Sequence, residues 1–161
     1  MISGKRMGSG FTYLAMLFFV AVIGASLAGT GIVWSQSRQR EKEAELLWIG
    51  EQFRQAIALY YQRTPGAVKR YPERLEDLLE DRRYPSVQRY LRRIYADPIT
   101  GKAAWGLVQV PGGGIMGVHS FSELRPIKSA GFSGQFERFE AAMKLSDWRF
   151  VYEPMVLPAK R

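Results

Sequence analysis

Cysteine is absent from the 161 residues of this chain, and histidine occurs once, at His119. The first absence excludes disulfides, thiolate metal sites and a thiol nucleophile. The second leaves no two-histidine zinc motif, and no Gly-x-Ser-x-Gly elbow or paired-carboxylate signature replaces it. His119 stands inside the apolar-rich segment 115–121, where it reads as a hydrogen-bonded strand residue, because no nucleophile and orienting acid are marked beside it. No catalytic residue, metal or cofactor is assigned, and the chain is not read as an enzyme. Two further absences shape the amino-terminal half: no proline occurs before Pro65, and no charged residue occurs over positions 11–34.

Charge of one sign is in excess. Lys and Arg number 23 against 15 Asp and Glu, a net charge of +8 that favours anionic partners such as acidic protein surfaces, phospholipid headgroups or nucleic acid. The uncharged stretch FTYLAMLFFVAVIGASLAGTGIVW at 11–34 is long enough, read as a helix, to cross a hydrocarbon layer that needs about 20 residues. It exceeds the apolar region of about 7 to 15 residues found in a cleaved signal peptide. The expectation is a transmembrane helix. Lys5 and Arg6 ahead of it place the N-terminus inside and the remainder outside a cytoplasmic (inner) membrane, in the periplasm or beyond; Arg38, Arg40 and Lys42 after it argue the other way.

Past Trp34, apolar residues recur at Leu46, Ile49, Phe53, Ile57 and Tyr60, the spacing of one stripe on a continuing helix. Thr64-Pro65-Gly66 is its stop signal, and Gly50 is a point of close packing. Within the uncharged stretch Ala21, Ala25 and Gly29 recur every four residues, with Gly24 and Ala28 alongside. Such small faces let two helix backbones approach closely, though Gly and Ala are also common in apolar helices generally.

The remainder reads as a small head. Leu75, Leu78 and Leu79 behind Pro72 predict a short helix over 72–81. Asp97-Pro98-Ile99-Thr100-Gly101-Lys102 lacks the spacing of a phosphate loop and reads as a turn. Alternation over 105–110 and 115–121 around a turn at 111–114 predicts a hairpin, and Trp148, Phe150 and Tyr152 predict one face of a last strand. The segment 130–144 is not decided between helix and irregular structure. Arg82, Arg83, Arg89, Arg92 and Arg93 interleave with Tyr84, Tyr90 and Tyr95, a composition that can hold a single nucleic acid strand through phosphate contacts and stacking, or can simply solvate a face.

Lys5 and Arg6, then Gly10 directly before Phe11, Thr12, and the long uncharged helix together resemble the leader of the type IV pilin and type II secretion pseudopilin family, in its pseudopilin-like branch. Tyr71-Pro72-Glu73-Arg74-Leu75-Glu76-Asp77-Leu78, Tyr90-Leu91-Arg92-Arg93-Ile94, the Asp97 to Lys102 turn and Asp147-Trp148-Arg149-Phe150 look like that branch more loosely. The resemblance implies cleavage by a prepilin peptidase between Gly10 and Phe11 and methylation of the new Phe11 amine. It implies a pilin-like α+β fold in which a long N-terminal helix, its first half transmembrane, packs on a small antiparallel sheet. The corresponding organisation is a leader at 1–10, a transmembrane half-helix at 11–34, an amphipathic half-helix at 35–63 and a head at 64–161.

The function so implied is that of a structural subunit of a type II secretion or type IV pilus-like assembly. Its partners would be other pilin or pseudopilin subunits, the peptidase and an assembly platform protein in the membrane, and its energy would come from a separate ATPase. Alternatives are a minor pilin whose basic head binds DNA or a secreted cargo, and a signal-anchored periplasmic protein of other function. Two departures from the family stand out. Ala15 occupies the place of a glutamate that pairs with a neighbour's N-terminal amine, which points to a minor or priming subunit. Ile32 stands near the place of the frequent mid-helix proline, with Gly29 and Gly31 beside it. The clustered oxygens of a calcium loop are missing near Asp147, so no calcium is predicted.

Overall fold

The computed structural model describes residues 9–154, with side chains over 12–24 and 34–154. Helix α1, Ser9–Gln62, is 54 residues long. The lack of proline permits that length, and over 36–62 the composition is rich in Ala, Leu, Glu, Gln and Arg, the strongest helix formers. The chain divides into two compact units, Met1–Arg38 and Gln39–Arg161.

The expected pilin-like fold with a transmembrane first half, and with it the single-pass inner-membrane placement, is corrected here. Among the described residues no helix is long and apolar enough to cross a membrane. Over 12–24 the helix instead presents Tyr13, Leu14, Phe18, Phe19 and Ile23 as exposed side chains.

In the second unit, Leu46, Ile49, Phe53, Ile57 and Tyr60 are all buried, joined by Ala56. They form one core with Trp105, Ile115, Val118, Leu145, Trp148 and Phe150. The sheet has three antiparallel strands in chain order: β1 (Gly106–Gln109), β2 (Ile115–His119) and β3 (Phe150–Val151). Leu107 faces Val118 and Val108 faces Gly117, and a bulge at Val108/Gln109 shifts Gln109 opposite Ile115. The hairpin turn uses Gly112, Gly113 and Gly114 at φ of 97°, 95° and 96°, values that side chains rarely adopt.

Two expectations for the head give way to local geometry, and one open segment is settled. The segment 72–81 holds only a four-residue 3₁₀ turn, Leu75–Leu78, because Asp77 Oδ2 accepts the amides of Glu73 and Arg74 at 3.1 and 2.9 Å and closes the turn at once. The last strand is two residues long, and both of its side chains are buried: Phe150 in the core and Val151 against Gly117, whose missing side chain leaves the room. The segment 130–144 contains a 3₁₀ helix, Gly134–Ala141, which brings Phe136 and Phe139 onto Phe150 and Trp148. The Trp148 indole N–H is buried without a partner among the described residues.

Candidate interaction surfaces

The first surface is the amino-terminal part of α1. Gly10 and Phe11, the expected processing site, lie in its first turn; the Phe11 side chain and the surroundings of Gly10, Ala25, Ala28 and Gly29 fall outside the described residues. Ala21 and Gly24 are exposed. A β-carbon placed on Gly24 would meet nothing within 4 Å among the described residues. Around it Tyr13, Leu14, Met16, Leu17, Phe18, Phe19, Val20, Val22 and Ile23 are between 45% and 69% exposed.

A second site lies on α1 at Glu43, which is 1% exposed. Its carboxylate accepts the backbone amides of Ile127 and Lys128 at 2.8 and 2.9 Å and the side-chain amide of Gln39 at 2.9 Å. Gln39 also donates to the Arg125 carbonyl at 3.0 Å. One buried acid thereby ties the 125–128 segment to the helix. Beside it runs a groove of about 500 Å³ whose lining includes Arg40, Ala44, Leu47, Ile127 and Lys128.

The carboxyl end of α1 carries the third. Arg83 Nε and Nη2 donate to the two oxygens of Asp81 at 2.8 and 2.7 Å. Nη1 donates to Thr64 Oγ1 at 2.8 Å, and Nη2 also reaches the Tyr60 carbonyl at 3.0 Å. The guanidinium lies 3.5 Å from the Tyr60 ring centroid. Lys69 adds its ammonium to the carbonyls of Gln62 and Thr64 at 2.9 and 3.0 Å. Two cations thus satisfy carbonyls that a helix end leaves free and offset its negative dipole. Burial opposes ionisation of Asp81, but the hydrogen bonds from Arg83 and from Tyr90 outweigh it and hold the carboxyl below its ordinary range. The Tyr90 hydroxyl, pushed up by partial burial and by donating to Asp81 at 3.0 Å, rises to about 12.

This geometry divides the five arginines that the sequence grouped together. Arg83 is occupied as a helix cap. Arg82 is exposed and lies 4.0 Å from Glu80, while Arg89, Arg92 and Arg93 are exposed without a carboxylate within 4 Å among the described residues. Tyr84 and Tyr90 are committed too: the Tyr84 hydroxyl donates to the Arg63 carbonyl, and the Tyr90 ring packs on Tyr60 at 5.8 Å.

His119 does not build a catalytic group. Its Nδ1 lies 2.8 Å from the Ser120 carbonyl oxygen, where the imidazole donates, and its ring lies over Gly106 on β1. Ser120 is fully buried and donates to Asp97 Oδ2 at 2.6 Å; Thr100 donates to the same oxygen at 2.9 Å. Ser, His and Asp are therefore close together, but the histidine bonds to a carbonyl instead of a hydroxyl, and the serine is closed to any substrate. The Asp97 cluster is a turn lock, completed by Gly101 at φ 72°.

Set against family models, curated proteins and solved structures, the chain matches none. Its functional reading therefore rests on its residues and their geometry.

Glu43 is the residue that sequence reasoning missed. It stands between Glu41 and Glu45 in an evenly charged segment, and both neighbours are exposed. The available signal was helical register: Glu43 precedes Leu46 by three residues and so belongs to the buried stripe. Trp48 was also passed over. It is 54% exposed on α1 and meets Tyr95 edge-on at 5.6 Å.

Proposed function

We propose that this chain is a pseudopilin-like structural subunit that joins neighbouring subunits through the amino-terminal turns of α1. The carrying observation is that every apolar side chain from Tyr13 to Ile23 is exposed except the half-buried Ala15. Apolar surface of that extent on all sides of a helix calls for a cover, and in this reading the helices of other subunits supply it. The open gap at Gly24 supports close approach, since the distance between packed helix axes is set by the side chains at the contact. Ala15, in place of the family's glutamate, suits a subunit present in few copies, at the start of an assembly. Processing between Gly10 and Phe11 would leave Phe11 as the first residue of the mature chain.

Two measurements test this. Mass spectrometry of the mature protein is expected to find an N-terminus at a methylated Phe11. A β-carbon at Gly24 meets nothing within 4 Å among the described residues, so Gly24→Leu should leave the fold intact while reducing cross-linked multimers. A mature protein that retains Met1 to Gly10, or multimers indifferent to Gly24→Leu, would refute the reading.

A further inference from the structure

Trp48 has no need to be where it is for the sake of the core. It stands on α1 between buried Leu46 and Ile49, yet its ring points outward and stays 54% exposed. Its position is fixed all the same. Tyr95 meets it edge-on at 5.6 Å, Tyr95 in turn stands edge-on to buried Phe53 at 6.4 Å, and the Tyr95 carbonyl accepts the Trp105 indole N–H at 2.8 Å. The Arg93 guanidinium lies 5.1 Å from the Tyr95 ring centroid. A guanidinium stacked on a ring keeps its N–H edge free for a carboxylate, and among the described residues none lies within 4 Å of Arg93 or of adjacent Arg92, which is also exposed. By contrast Arg54, Arg82, Arg83 and Arg138 each have an acid in reach.

We propose that Trp48, Tyr95 and Arg93, with Arg92 beside them, form a docking surface for an acidic polypeptide segment that carries an apolar side chain. Tryptophan, tyrosine and arginine on a rigid support are the residue types that dominate binding energy at protein interfaces. The unpaired arginines supply the charge preference. Glu45, exposed three residues before Trp48, disfavours partner carboxylates on its side and leaves the Arg93 side for them. A polypeptide fits better than a nucleic acid strand. Successive bases need a row of open rings, whereas Tyr60 and Tyr90 close on each other, and the hydroxyls of Tyr84 and Tyr90 are already engaged. This surface lies wholly in the unit Gln39–Arg161 and does not depend on how α1 assembles.

The test is fluorescence anisotropy of the full chain with three labelled probes of equal length: an Asp/Glu/Leu peptide, a Ser/Gly/Leu peptide and oligothymidylate. The acidic peptide is expected to bind at least tenfold tighter than either alternative, with affinity falling as salt rises. Trp48→Ala and Arg93→Glu should each weaken it at least tenfold, with the circular dichroism spectrum unchanged, while Arg138→Gln should leave it as it is. Equal binding of the neutral peptide, or binding indifferent to both substitutions, overturns the proposal; tighter binding of oligothymidylate overturns it in favour of nucleic acid. An unprocessed N-terminus would count against the subunit reading and leave this result standing.

Discussion

Gly50→Ala sets two effects of opposite sign against each other. In an exposed helix interior, alanine is favoured over glycine by about 1 kcal/mol. At position 50 of α1, however, the new methyl would fall within the Phe150 ring. That ring is fully buried and flanked by Phe136 at 5.7 Å and Phe139 at 5.3 Å, so it has no free side toward which to turn. Displacing it would drag β3, whose two residues pair with Gly117 and Val118 of β2. Overpacking of a tight core costs about 1–3 kcal/mol and occasionally more, so the overlap wins and a net loss of about 1–2 kcal/mol is expected. Urea unfolding of the full chain, followed by tryptophan fluorescence, should show a lower midpoint at unchanged slope. In a Phe150→Ala background the methyl has room, and the same substitution should become neutral or stabilising. A stabilised single variant, or a loss undiminished when Phe150 is removed, would refute the packing derived for this helix face.

Three further outcomes follow from the buried polar groups. Glu43→Ala should cost about 2–4 kcal/mol, since it strands two amides that now bond to a charged acceptor, and hydrogen exchange at Ile127 and Lys128 should speed up selectively. Arg83→Lys keeps the charge but cannot hold Asp81, Thr64 and the Tyr60 carbonyl together; a loss of about 2–3 kcal/mol is expected by chemical denaturation, discounted from the full value of a buried pair because Arg83 is partly exposed. For pH the signs differ. Asp81 is held below the ordinary value of 3.8, so its contribution is present above that value and lost as pH falls through the lower folded one. Tyr71, raised to about 12 mainly by burial, and Tyr90, raised to about 12, stabilise fully below the ordinary tyrosine value of 10.0, and that contribution is lost as pH rises toward 12. Thermal melts at pH 7 and 11 should therefore differ, and Tyr71→Phe should reduce the difference.

Periodicity made the buried stripe of α1 legible, because a helix sets its repeat locally and Leu46 through Tyr60 obey it residue by residue. The hairpin was legible for a similar reason: alternation on both sides of a glycine-rich turn is a local pattern. The Asp97 turn also follows from its own residues. The uncharged run at 11–34 is where local reading went too far. Hydropathy counts residues, and among those described the helix is not long and apolar enough to cross a membrane.

By itself, then, the amino-acid sequence determined where α1 could run without a break, which of its faces was oily and where the chain had to turn, since each depends on neighbours a few positions apart. The tertiary structure alone decided what the buried Glu43 carboxylate bonds to, that Arg83 caps a helix while Arg82 faces water, and that Trp48 looks outward. Helical register places Glu43 on the buried stripe, but nothing local says what would satisfy its carboxylate there, and nothing local separates Arg82 from Arg83. That is set by partners as far away as Ile127 and Lys128, more than eighty positions along the chain, which only the packed fold brings within hydrogen-bonding distance.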